Sequence, residues 1–184
     1  MMKMHYMQYT PAVMMGHPFD AETPIVNLHV RPATIDDAPC ILAFIRELAD
    51  YEKALDEVTA SLADIEHSLF DEQATARALI CECDGRPIGY AVYFFSYSTW
   101  QGRNGLSLED LYVSTDHRGL GAGKLLLKHL ARQAWSNDCG RLEWSVLDWN
   151  TPAIDFYRSI GAQPQSEWVR YRMEGDVLRR FADA

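Results

Sequence analysis

The stretch DHRGLGAGKLLLKHL, Asp116 to Leu130, sets Gly119, Gly121 and Gly123 at the head of a leucine-rich helical pattern. Such a turn leaves the chain few options. Glycines lack a Cβ, so successive amides can converge on an anion. The helix that follows brings its unpaired N–H groups and positive dipole end to the same point. Arg118 and Lys124 add formal charge. The pattern predicts a strand-to-helix junction suited to phosphate; a tight turn packed under a sheet would use the same glycines. Two familiar phosphate spacings are excluded. The P-loop pattern G-x-x-x-x-G-K-[ST] fails because Arg118 stands at its first glycine and Leu125 at its hydroxyl residue. The dinucleotide pattern G-x-G-x-x-G fails at Lys124.

The segments around this turn alternate between the two hydrophobic periods. Ile25–Ala33 reads as a strand. A helix then follows, capped by Asp36 or Asp37, with Ile41, Leu42, Ile45, Leu48 and Ala49 as its buried stripe. A shorter helix is expected over Ser61–Phe70. Two β-rich runs are joined at the hairpin signal Asp84-Gly85, and Leu106–Val113 is a further strand leading into the glycine turn. The leucine-rich helix is placed at Leu120–Trp135 and a strand at Arg141–Leu147. A short helix starts from Asn150 or Thr151, carries Pro152 in its first turn and stops at Gly161. Glu167–Met173 reads as a last strand, with a terminal helical turn after it. This order predicts one mixed α/β domain over residues 26–184. Residues 1–25 read as an arm outside the core, or as sequence upstream of a later natural start.

The formal net charge of −9 over 184 residues argues against nucleic acid, whose binding rests on basic patches. It agrees with a cationic small substrate without requiring one. No apolar run approaches a membrane span. Cys40, Cys81, Cys83 and Cys139 form no zinc or redox spacing, and read as thiols of a protein kept in a reducing cytoplasm. No metal is required by any cluster in the sequence.

Arg118-Gly119-Leu120-Gly121-Ala122-Gly123, directly after LEDLYV, resembles the R-x-x-G-x-G/A signature of the GNAT superfamily of acetyl-CoA-dependent N-acetyltransferases. From about Val30 onward, RPAT, ILAFIRELADYE, FFSYSTWQG, LEDLYV, DWNTPAIDFYRSIGA and EWVRYRM are similar, in order, to the diamine (spermidine/spermine) acetyltransferase branch. The resemblance implies a mixed, mostly antiparallel central sheet flanked by helices. It implies acetyl-CoA as co-substrate: backbone groups of Leu111, Tyr112 and Val113 along the pantetheine arm, Arg118 to Lys124 (with Gly119, Leu120, Gly121, Ala122 and Gly123) at the pyrophosphate, and Asn150 from the opposite side. It further implies a homodimer.

The same resemblance assigns Glu109 to the amine's proton, through water, with substrate binding or a solvated surface glutamate as the alternatives. It assigns Tyr157 as general acid at the departing sulfur. By spacing alone Tyr157 shares a helical face with Ala153, Phe156 and Ile160, as a core aromatic would. Tyr51 and Glu52 match a substrate-contacting pair, or form only the solvated end of the first helix. Glu143 and Trp144 lie on the strand beside the expected site and are further substrate candidates. The expected acceptor is a small primary amine, either a diamine or polyamine or a lysine-like amino acid. The positive charge of Lys53 weighs against a long polycation. A peptide or protein amine, and a non-catalytic acyl-CoA sensor, are the alternative functions.

Overall fold

The computed structural model describes residues 26–184. The expected N-terminal arm therefore lies outside the described residues. Strand β1 (Leu28–Pro32) leads into α1 (Ala38–Tyr51) and α2 (Leu62–Phe70). Strands β2 (Ala76–Cys83), β3 (Arg86–Ser98) and β4 (Arg103–Val113) follow, then α3 (Ala122–Ser136), β5 (Leu142–Trp144), α4 (Thr151–Ser159) and α5 (Gly175–Ala182). The strands form one sheet in the order β1-β2-β3-β4-β5. Its first three pairings are antiparallel and β4–β5 is parallel. This is the mixed, mostly antiparallel α/β architecture expected from the sequence.

Strand alternation sends neighbouring residues to opposite faces. Leu79 and Cys81 pack with Leu106, Leu108, Leu126 and Leu130 under α3. Ala78 and Ile80 pack with Ile41, Phe44, Ile65, Tyr90 and Tyr112 under α1 and α2. Leu126 and Leu130 are wholly buried, which removes about 1.5–3 kcal/mol of apolar exposure for each. The hairpin at Asp84-Gly85 has positive φ at both residues, +49° and +77°, as a two-residue turn matched to strand twist requires. At Gly89 a Cβ would stand 2.5 Å from the Tyr112 carbonyl oxygen. Only glycine lets β3 approach β4 so closely there.

Asp37 stands at the N-cap of α1, as expected, but its side chain makes no bond to the helix. A 3-10 turn over Ile35–Asp37 precedes the helix, and Asp37 looks backward. Its carboxylate accepts from the Thr34 amide at 2.7 Å and takes both arms of the Arg31 guanidinium at 2.7 and 2.8 Å. Arg31 Nε also donates to Glu82 at 2.7 Å. The hydrogen bonds from Arg31, helped by the Thr34 amide and the Arg31 charge, hold the Asp37 carboxyl at about 2 against the opposing effect of burial. Ser61, by contrast, caps α2 as a side chain should, accepting from the Asp64 amide.

Two strand expectations are corrected. The run Arg141–Leu147 is paired only over Leu142–Trp144, because β4 and β5 part beyond that point. Glu167–Met173 forms no strand: it begins in a turn at Ser166–Glu167 and continues unpaired, with Val169 73% and Tyr171 92% exposed. A period-two pattern specifies a face to bury and says nothing of the partner that buries it. Helix α5 is equally open, with Val177, Leu178 and Phe181 all exposed.

Candidate active site

The parallel pairing of β4 with β5 runs Leu106–Leu142, Ser107–Glu143 and Leu108–Trp144, then stops. Strand β4 continues to Val113, still paired to β3 on its other side. From Glu109 onward the β5-facing edge of β4 therefore has no strand neighbour. That leaves a row of backbone groups free to receive an extended ligand. Of the expected pantetheine contacts, Leu111 and Val113 turn backbone groups to this edge, whereas Tyr112 turns its own to Tyr90 of β3 and the Val113 carbonyl accepts from Arg118.

A β-bulge sits where the strands part. Val92 pairs with Asp110 and Tyr93 with Leu108, so Glu109 is the extra residue. Bulges re-aim side chains and are common beside functional sites. Leu108 packs toward α3, whereas Asp110 meets Tyr90 on the α1 and α2 face. Glu109 is exposed beside it. Burial pushes the Asp110 carboxyl up and the Glu109 charge adds to this, while the Tyr90 hydrogen bond opposes them. Glu52, at the end of α1, is pushed up by burial and then by the Asp110 charge. Tyr157 on α4 is pushed up by burial and then by Glu52. Glu52, Glu109, Asp110 and Tyr157 thus share one electrostatic neighbourhood. Asp110 was not singled out in the sequence; two adjacent acids in the otherwise apolar strand LEDLYV were the available signal.

Tyr157 is half-buried, its ring edge-on to Trp144 with centroids 5.1 Å apart and tilted against Phe156 at 5.6 Å. Among the described residues its hydroxyl has no protein partner and is not sealed from solvent. It is neither a core aromatic nor a surface one. The expected companion Ile160 is exposed at the end of α4. Trp144 therefore shapes the Tyr157 side of the gap. Glu143 faces elsewhere, held by Arg141 at 3.0 Å and near Ser96 Oγ at 3.5 Å, and the structure does not bring it into the Glu52–Asp110 group.

The glycine turn opens α3 on the other side of the exposed β4 edge. Gly119 and Gly121 take φ of +83° and +91°, and nothing lies within 4 Å of where their Cβ atoms would be. The Arg118 amide donates to Thr115 and the Leu125 amide to Gly121. Among the described residues, the amides of Gly119, Leu120, Gly121, Ala122, Gly123 and Lys124 have no backbone acceptor, and Lys124 is exposed beside them. Unpaired converging donors at a helix start, with open space above them, fit a pyrophosphate. The Arg118 side chain is turned back toward α1. Its guanidinium lies 4.6 Å from the Tyr51 ring centroid and 5.7 Å from that of Tyr112, and Nε donates to the Val113 carbonyl.

Asn150 caps α4 with its side-chain oxygen, which accepts from Ala153 N and from the Tyr51 hydroxyl, each at 3.4 Å. Tyr51 also packs against Trp149. A cleft of about 490 Å³ opens between α1 and the start of the turn, lined in part by Glu47, Asp50, Tyr51, Tyr112 and His117. It shares Tyr51 and Tyr112 with the site but lies apart from Glu109, Asp110 and Tyr157. Among the described residues, no three His, Cys, Asp or Glu side chains are grouped to hold a metal.

A sheet that parts between two parallel strands beside unpaired helix-start amides is an arrangement that can hold an extended, phosphate-bearing molecule. The chain belongs to the Acetyltransferase (GNAT) family, which it matches over residues 42–162, and is an N-acetyltransferase. It is similar to the thialysine N-epsilon-acetyltransferase of Bos taurus, with 40% identity over 83% of this chain and 96% of the other. It is also similar to the human spermidine/spermine N(1)-acetyltransferase-like protein 1, with 32% identity over 88% of this chain but 24% of the other. Among solved structures, an integron cassette protein from the mobile metagenome of V. cholerae superposes with a TM-score of 0.73. It is 28% identical, over 85% of this chain and 98% of the other. The resemblance to the diamine acetyltransferase branch is borne out.

Proposed function

We propose that this enzyme moves the acetyl group of acetyl-CoA directly to the primary amine of a small lysine-like acceptor. The parting of β4 from β5 at Leu108 and Trp144, with the Glu109 bulge at its apex, carries the reading. Amides of Gly119 to Lys124 would hold the pyrophosphate, the free edge of Leu111–Val113 the pantetheine arm, and Asn150 the opposite side. Acetyl-CoA supplies an acyl group on a good leaving thiolate.

A free primary amine has a pKa near about 10 and is mostly protonated at neutral pH. Asp110 and Glu52 receive it as the ammonium. Glu109, solvent-connected, takes its proton through water. The neutral nitrogen then forms a C–N bond with the acetyl carbon, and backbone N–H groups of the β4 edge stabilise the oxyanion. The C–S bond breaks as Tyr157 gives its proton to the sulfur, and Tyr157 is reprotonated from solvent. Burial and the Glu52 charge keep that proton on Tyr157 until it is needed. Lys53, immediately after Glu52, disfavours a long polycation. The thialysine-named relatives support a lysine-like amine over a polyamine.

The unpaired segment Val169, Tyr171 and Met173 and the open face of α5 support a homodimer in which a second copy covers this tail. The four free thiols suit the reducing cytoplasm. Among the described residues no helix is long and apolar enough to cross a membrane.

The test is thiol release from acetyl-CoA with lysine, its sulfur analogue, diamines, spermidine, aminoglycosides and peptides. Turnover is expected to be highest with the lysine-like amines. Preference for peptides, or acetyl-CoA binding without release on any amine, would sink the proposal.

A further inference from the structure

We infer that Tyr90 is a positioning residue for the acceptor amine: its buried hydroxyl holds Asp110 by Oδ2 and leaves Oδ1 for the substrate nitrogen. The inference rests on reading the Glu109–Asp110 side of the sheet as the acceptor site.

Tyr90 is wholly buried in the central strand β3, paired to Ile80 on one side and Tyr112 on the other. Its ring stacks on Phe44 with centroids 5.8 Å apart and planes 14° from parallel. It is a fixed post, and its hydroxyl donates to Asp110 Oδ2 at 2.9 Å. Among the described residues this is the one side-chain hydrogen bond Asp110 makes, and Oδ1 is not among the sealed, unpaired atoms.

The groups facing Asp110 are Tyr90 from β3, Glu109 on its own strand and Glu52 from the end of α1, with Tyr157 of α4 next to Glu52. None of these is a cation. A half-buried carboxylate beside two others, without a protein cation, is an incomplete charge arrangement. An ammonium completes it. The Tyr90 bond matters because burial and Glu109 both push the Asp110 carboxyl toward its protonated form, and this hydrogen bond opposes them. A single fixed donor on one oxygen sets the plane of the group and favours its charged form.

The experiment compares parent enzyme with Tyr90→Phe, Asp110→Asn and Phe44→Leu, in steady-state kinetics with acetyl-CoA and the best amine across pH. Tyr90→Phe is expected to raise the amine KM about tenfold, the equivalent of one hydrogen bond to a charged group. The acetyl-CoA KM should stay within about twofold, since no contact to the carrier is lost. The acidic limb of kcat/KM for the amine should move to higher pH, because Asp110 without its donor protonates sooner. Phe44→Leu loosens the same packing but keeps the hydroxyl, and should leave the limb in place.

An unmoved limb and amine KM in Tyr90→Phe, or their reproduction by Phe44→Leu, would overturn the role of Tyr90. An unchanged amine KM in Asp110→Asn would instead overturn the underlying placement of the acceptor. Should Tyr90→Phe not fold, replacing Tyr90 by 3-fluorotyrosine keeps the shape and strengthens the donor. The limb should then move to lower pH, and its failure to move would equally overturn the inference.

Discussion

The Tyr51 hydroxyl donates to Asn150 Oδ1 across 3.4 Å and so ties the end of α1 to the start of α4. The face of the same ring carries the Arg118 guanidinium. One side chain therefore bridges the glycine turn and the Asn150 cap, the two segments proposed to hold the carrier from opposite sides. A 3.4 Å bond is long for two oxygens, whereas a cation over an aromatic face contributes about 0.5–2 kcal/mol. Tyr51→Phe should accordingly leave the acetyl-CoA KM within about twofold, and Tyr51→Ala should raise it by about tenfold. Equal effects of the two variants in acetyl-CoA titrations would show that the hydroxyl, not the ring, is the tie.

Tyr157→Phe removes only an oxygen from a half-buried ring held by Trp144 and Phe156, so its Tm should be close to that of the parent. A lost general acid should lower kcat by about 100-fold or more. Because burial and Glu52 raise the Tyr157 pKa from its ordinary value of 10.0, the donor stays protonated through that pH. In the parent, the alkaline loss of kcat should fall above it. Full turnover by Tyr157→Phe would remove the assignment.

Gly121 occupies a left-handed conformation with open space around it. Gly121→Ala therefore meets no steric clash, only backbone strain of about 1 kcal/mol. Its effect should appear as a several-fold rise in acetyl-CoA KM through misaligned amides, with the amine KM unchanged. Isothermal titration with CoA reads the same change without turnover.

The Arg31–Asp37 pair gives a pH prediction for stability. Asp37 has a folded value of about 2 against an ordinary 3.8. A depressed carboxyl stabilises the fold above its unfolded value, and that stabilisation is lost as pH falls through the folded one. Urea unfolding of the parent should weaken by about 2 kcal/mol between pH 5 and pH 2 through this group. Asp37→Asn, which keeps an acceptor for the Thr34 amide, should already be weaker by about that amount at neutral pH and lose less on acidification.

The apolar tail face of Val169, Tyr171 and Met173 predicts self-association. Sedimentation of the parent should give a dimer, and Tyr171→Asp with Val169→Asp should shift it to monomer. A monomeric parent would rule out the proposed dimer.

The sequence carried the order of elements because each has its own local signature. Asp84-Gly85 can hardly be anything but a hairpin turn, and Gly161 with φ of +91° stops α4 where its position suggests. What escaped is what depends on a neighbour. Whether Asp37 caps forward or reaches back to Arg31 depends on where β1 places that guanidinium. The bulge at Glu109 is a mismatch between two strands, legible in neither, and it alone puts Asp110 on the same face as Tyr90. The turn glycines were readable as an anion cradle, but the Arg118 side chain turns away from it because Tyr51 and Tyr112 offer aromatic faces.

The parting of β4 from β5 also bears on how long the enzyme lasts. The backbone groups that Leu111 and its neighbours turn away from β3 have no strand partner until an extended molecule lies along them, so a bound carrier adds to the stability of the native state. At a concentration 100-fold above its Kd it contributes about 2.7 kcal/mol, enough to lower the unfolded fraction about 100-fold. Survival against heat and proteolysis then tracks the supply of the carrier, acetylated or free.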